Sequence, residues 1–93
     1  MFFHENIFGP YNEAEKKIYF IEQFRVDMQF TLQRALNDNK ITRNELAKRL
    51  GKTRTYVDHT YFRNSANPSL IMLAKAFAAI EQEIKFTLLK DDQ

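Results

Sequence analysis

Residues 41–62 read ITRNELAKRLGKTRTYVDHTYF, and the way this stretch folds decides how the rest of the chain is used. Thr42 and Glu45 stand at the spacing of a capping box, in which each side chain satisfies the other's free backbone N–H. Leu46, Ala47 and Leu50 then recur at steps that line one face of a short helix. Gly51 falls where a helix ends in a left-handed residue, a conformation that glycine adopts without a Cβ clash. Thr53 is a second N-cap. Behind it Arg54, Thr55, Tyr56, Asp58 and His59 fall mostly on one side, while Val57, Thr60 and Tyr61 turn inward. The spacing predicts two short helices joined by a tight glycine turn.

Two helices at a sharp angle, the second presenting polar residues from its first turns, make the helix-turn-helix that enters the major groove. The residues resemble a known family. I41-T-R-N-E-L-A-K-R-L-G51, the polar helix after it and N67-P-S-L-I-M-L-A-K-A-F77 are similar to the Cro/repressor-type (XRE-like) helix-turn-helix domain. The likeness spans roughly Phe24 to Ile80, and its most specific part is E-L-A-x-x-L-G, then a polar helix, then N-P-S-L.

Charge agrees with this expectation. The chain has 93 residues and a net charge of +2, but Lys40 to Arg63 holds seven Lys/Arg against Glu45 and Asp58, a local +5 that leaves −3 elsewhere. A basic cluster on one unit is the electrostatic footprint of a nucleic-acid face. The length implies a single domain that buries a modest fraction of its surface, so a partner chain would help it. Cysteine is absent, which excludes disulfides and Cys-based metal sites and agrees with a reducing cytoplasm. No apolar run is long enough to span a bilayer, and the N-terminus lacks the unbroken apolar core of a signal sequence. The expectation is a cytoplasmic protein with no membrane partner.

Residues 1–11 form an apolar arm with Phe2, Phe3, Ile7 and Phe8 before the Gly9-Pro10 turn signal. It either folds back over the core or packs on a second subunit or protein partner. Asn12 with Glu15 is a further cap, and Ile18, Ile21, Phe24, Met28, Leu32 and Leu36 recur at helical steps with no Gly or Pro between them. One long amphipathic helix, about Asn12 to Asn37, is expected. Tyr19, Phe20, Val26 and Phe30 lie off its main stripe, which suits either a subunit contact or cover by the arm. Asn67 as cap and Pro68 at the first helical position open a last helix, with Leu70, Leu73, Ala74, Phe77 and Ile80 facing inward.

From Glu83 the period changes to two. Ile84, Phe86 and Leu88 alternate with Glu83, Lys85 and Thr87, predicting a half-buried strand over residues 83–90 and a short tail at 91–93. A single strand leaves its backbone unpaired, so the same strand from a two-fold related subunit is the simplest partner. Such strands are similar to those of antitoxin members of the family. The fold expected is therefore mainly α, a four- to five-helix Cro/repressor-like domain over residues 12–82, with a long N-terminal helix and a C-terminal β-strand for dimerisation.

The resemblance implies roles for single residues. Arg54, Thr55 and His59 match positions where the family reads base edges; Arg54 can fork onto guanine O6 and N7, or else act as a phosphate contact or a solvated residue. Tyr56 can stack on a sugar or touch a thymine methyl, or lie on its own helix. Thr42, Arg43, Lys52, Thr53, Arg63 and Asn64 fit phosphate contacts near free helix N-termini. Lys52 stands where most relatives carry an apolar residue, and Leu36 and Tyr61 stand where some carry a buried arginine–glutamate pair.

Catalysis has little support: His4 and His59 are the only histidines, and no acidic cluster accompanies them. No cofactor is implied, and the two glycines are too far apart to cradle a phosphate. The expectation is a non-enzymatic transcriptional regulator, a repressor acting as a homodimer on a palindromic stretch of double-stranded DNA. The alternative is an antitoxin that binds a toxin protein and controls its own operon.

Overall fold

The computed structural model describes residues 12–87. The described chain is mainly helical. Four α-helices run in order, α1 Glu13–Asp38, α2 Arg43–Leu50, α3 Arg54–Val57 and α4 Leu70–Ala79, with a π-helical turn at Asp58–Phe62 directly after α3. The apolar arm at 1–11, Leu88 and the tail at 91–93 lie outside the described residues.

Local chemistry sets most of the boundaries. Asn12 and Glu15 close a full capping box at the start of α1, with both side chain to backbone bonds at 2.8 Å. At its far end Lys40 takes a left-handed φ of 57°, and the Ile41 N–H returns to the Leu36 carbonyl at 2.9 Å. Thr42 caps α2 by accepting from the Glu45 N–H at 3.0 Å, but only half of the expected box forms. The Glu45 carboxylate turns along the helix to Arg49 instead, at 3.3 Å. Gly51 ends α2 at φ 71°, with the Lys52 N–H bonded back to the Ala47 carbonyl at 2.8 Å. Thr53 then caps α3, accepting from the Tyr56 N–H at 3.0 Å.

The segment after α3 departs from a plain α-helix. The Arg63 N–H reaches five residues back to the Asp58 carbonyl at 2.9 Å, so the last turn is wider than α. Tyr61 is buried in this turn and its hydroxyl donates to the Met72 carbonyl at 2.8 Å, while Phe62 packs half-buried beneath Arg43. The wide turn thus lets two consecutive aromatics find separate partners.

The last helix begins later than the sequence pattern suggests. Ser69, not Asn67, is the N-cap, its hydroxyl accepting from the Met72 N–H at 3.2 Å. Asn67 and Ser69 can both cap, and it is the Ser69 hydroxyl that takes the free N–H, so Asn67-Pro68 precedes the helix instead of opening it. The buried face also differs from the expected one. Ala76, Phe77 and Ile80 are buried and Met72 and Leu73 half-buried, whereas Leu70 and Ala74 face solvent.

These helices share one core: Leu32 and Leu36 from α1, Leu46 and Ala47 from α2, Val57 and Tyr61 from the α3 segment, and Ala76, Phe77 and Ile80 from α4. Only the second half of α1 takes part. Ile18, Ile21 and Phe24, on the same stripe, are 61%, 65% and 54% exposed. With 26 residues at about 1.5 Å each, α1 carries this apolar stripe well beyond the core.

The expected strand is not found. Glu83 to Thr87 has no ladder partner among the described residues. The alternation is nevertheless used: Ile84 packs against the core and Phe86 stacks on Phe24 of α1, ring centres 6.5 Å apart and planes 24° apart. The apolar side of the segment turns to the helices and not to a second strand, with Phe86 still 61% exposed.

Candidate functional site

The densest grouping of expected site residues lies on α2, the Gly51 turn and α3. Lys52, Thr53, Arg54 and Thr55 are all exposed at the start of α3, and His59 is exposed one turn on. Thr42 and Thr53 have committed an oxygen lone pair to capping, but each hydroxyl proton remains available to an outside acceptor. The Lys52 ammonium stands 5.1 Å from the centre of the Tyr56 ring. Tyr56 itself leans edge-on against Tyr61, at 6.5 Å and 79°, and is only half-exposed. Of the alternatives for Tyr56, it therefore lies on its own helix with one edge open.

The two arginines of the site differ sharply in environment. Arg43 is half-buried: Nε donates to Gln33 Oε1 at 2.9 Å, Nη1 donates to Asp58 Oδ1 at 3.1 Å, and the guanidinium carbon sits 3.9 Å over the Phe62 ring. It joins α1, α2 and the π-helical turn, with its side chain 31% exposed. Arg54 is more open. Its Nε donates to both oxygens of Asp58 at 3.1 Å, and Nη1 comes within 3.5 Å of Asn44 Oδ1.

Asp58 is the shared acceptor of both. Partial burial works to raise its carboxyl, but hydrogen bonds from Arg54 and Arg43, and their charges, outweigh that and hold it below the ordinary carboxylate value. It stays ionised in the middle of a basic surface. Asp58, Asn44 and Gln33 were not singled out as site residues from the sequence. The four-residue step from Arg54 to Asp58 was a visible signal for a helical ion pair, whereas nothing local connects Gln33 to Arg43.

Arg63 and Asn64 lie beyond the π-helical turn and are exposed. The Arg63 carbonyl accepts from Gln29 Nε2 at 3.0 Å, which ties this loop to α1. Asn64 lines a different feature, an apolar groove of about 330 Å³ between α1 and the loop, with Ile21, Phe24, Met28 and Pro68 among its walls. The structure thus gathers Lys52 to His59 on one surface, turns Arg43 inward and sets Asn64 on the groove. Arg49, another cation of this stretch, donates from Nη1 to the Ala79 carbonyl at 3.0 Å and closes the C-terminal end of α4.

Chemically, such a surface suits a polyanion. It offers Lys and Arg cations, hydroxyl donors and one arginine fork held at its Nε edge. Among the described residues no group of three or more His, Cys, Asp or Glu could hold a metal ion, and no helix is long and apolar enough to cross a membrane. No family model, curated protein or solved structure matches the chain.

Proposed function

We propose that the chain is a sequence-specific DNA-binding transcriptional regulator, a cytoplasmic repressor without enzymatic activity, in which α2, the Gly51 turn and α3 act as a helix-turn-helix. The observation that carries this is the exposed first turn of α3: Lys52, Thr53, Arg54 and Thr55 stand together on the segment that concentrates a local +5 charge. α3 enters the major groove, Arg54, Thr55 and His59 meet base edges, and Thr42, Lys52, Thr53 and Arg63 hold the phosphates. Arg43 is withdrawn from the phosphate set, because its guanidinium is engaged by Gln33, Asp58 and Phe62.

The protein acts as a homodimer on a roughly palindromic site, and the exposed stripe of Ile18, Ile21 and Phe24 is the surface that pairs. Acidic and basic residues both flank it, among them Glu15, Lys17, Glu22 and Arg25, which suits contact with a second copy of the same stripe. The same stripe is what an antitoxin would offer to a toxin protein, and that second reading rests on this observation alone.

A salt titration of binding to duplex DNA tests the main reading. Log K falls linearly with log salt, by about 0.9 for each phosphate neutralised, and the slope reports several contacts per subunit. A flat dependence removes DNA as the ligand and leaves the protein-partner reading.

A further inference from the structure

The Asp58–Arg54 contact is held on both sides. A guanidinium presents two hydrogen-bonding edges, one formed by Nε with an Nη and one by the two Nη groups. Arg54 gives its Nε to both Asp58 oxygens at 3.1 Å, while Nη1 has only the 3.5 Å approach to Asn44 and Nη2 has no partner among the described residues. The side chain is 48% exposed, and the Nη edge is the one that Asp58 does not occupy. Asp58 in turn is fixed by Arg43 at 3.1 Å, and Arg43 by Gln33 at 2.9 Å and by the Phe62 ring. The contacts run from the buried half of α1, through α2, to the first turn of α3.

Building on the DNA-binding reading, we propose that Asp58 is a positioning residue that holds Arg54 by its Nε so that the outward Nη edge reads one guanine. Bidentate contact with guanine needs the fork in one orientation, and a side chain fixed before binding loses less freedom on binding. The Asp58 carboxylate also repels the phosphates of any DNA. The two roles of Asp58 therefore have opposite signs: its charge weakens binding to every sequence, and its hold on Arg54 strengthens binding to one.

That opposition supplies the test. Wild type, D58N, D58E, R54A and the R54A/D58N pair are measured on a library of duplexes with a randomised site, on one random-sequence duplex, and in urea unfolding. D58N binds the random duplex as tightly as wild type or tighter, yet loses about tenfold of its preference at a single G·C pair, the same pair that R54A relaxes. R54A/D58N is no worse there than R54A, and D58E, which keeps the charge but displaces it by one methylene, falls between wild type and D58N.

A D58N protein that keeps the full preference overturns the proposal, as does one that weakens on all duplexes in step with lost stability. If D58N does not unfold cooperatively, D58E against wild type decides, and unchanged preference overturns the proposal. A wild type with no sequence preference defeats the DNA-binding reading itself, and this proposal with it. A preference kept in D58N defeats the proposal alone.

Discussion

The hydroxyl of Tyr61, in the π-helical turn, donates to the main-chain carbonyl of Met72 in α4 at 2.8 Å, and the residue around it is 2% exposed. Burial pushes this phenol up to about 12, with nearby Tyr56 adding to the shift, against an ordinary value of 10.0. Folding therefore favours the neutral form. The stabilisation is fully present below pH 10 and is lost as the pH rises to about 12, because the unfolded chain releases its proton first. Between those limits stability should fall by about 1.4 kcal/mol per pH unit beyond any loss from other groups. Tyr61→Phe should be less stable at neutral pH by about 1 kcal/mol, having lost the hydroxyl's bond to the Met72 carbonyl, but should lack the extra alkaline loss. Urea midpoints of both proteins from pH 8 to 12 check this; parallel curves would mean that Tyr61 is not the titrating group.

Arg43 and Arg54 carry the same charge and share Asp58, yet their removal should read differently. Arg43→Ala loses a half-buried cation–π contact and two side-chain hydrogen bonds, about 1–2 kcal/mol. Arg54→Ala removes an exposed pair four residues apart on one helix, within about 0.5 kcal/mol. Chemical denaturation ranks the two, and equal losses would put Arg43 outside the core-linking role.

The capping residues of α1, α2 and α3 were legible because each is a local decision. Asn12, Thr42, Thr53 and Gly51 act on backbone groups within three or four residues. Ser69 against Asn67 was not, since both side chains can cap and the winner depends on how α4 docks. Alternation at Ile84 and Phe86 told which side of the segment turns to the helices but not what it meets, which is the core for Ile84 and the exposed ring of Phe24 for Phe86. At the site, sequence gave the charge of Arg43 but not its fate. Its hydrogen-bond partners stand ten and fifteen residues away, and Phe62, in the π-helical turn, nineteen. The stripe from Ile18 to Leu36 has one period throughout, so nothing in it announced that burial begins only near its end.

Three helices end in a left-handed residue, and only one of these is glycine. Gly51 has φ 71°, Lys40 φ 57° and Glu81 φ 58°. A Cβ at Gly51 would meet nothing within 4 Å, so Gly51→Ala tests conformation alone and should cost about 1–2 kcal/mol. Glu81→Gly should do the reverse, adding up to about 1 kcal/mol by removing the strain, less the entropy glycine loses on folding. Thermal unfolding of the two variants should move in opposite directions. If Glu81→Gly were the less stable, Glu81 would be making contacts that outweigh its backbone strain.

The stacked pair Phe24 and Phe86 remains 54% and 61% exposed, next to Ile21 at 65%. Apolar surface left in water costs roughly 25 cal/mol per Å², so a second copy that covers this stripe gains in proportion to the area removed from solvent. Ile21 lies outside the monomer's own core, so Ile21→Glu should change its unfolding free energy by no more than about 0.5 kcal/mol, whereas Phe24→Glu also loses the stack on Phe86 and should cost about 0.5–1.5 kcal/mol. In a dimer the same changes place two carboxylates against each other across the two-fold axis, and the association should weaken at least about tenfold for each. Sedimentation equilibrium of wild type and both variants measures this directly. DNA binding should weaken alongside, since each subunit then meets its half-site without the other, while binding to a single half-site should be unchanged. A wild type that sediments as a monomer at all concentrations would remove the homodimer from the proposed function. A dimer that survives both substitutions would move the interface to another exposed apolar patch, such as Leu70 and Ile71 at 70% and 67% exposure.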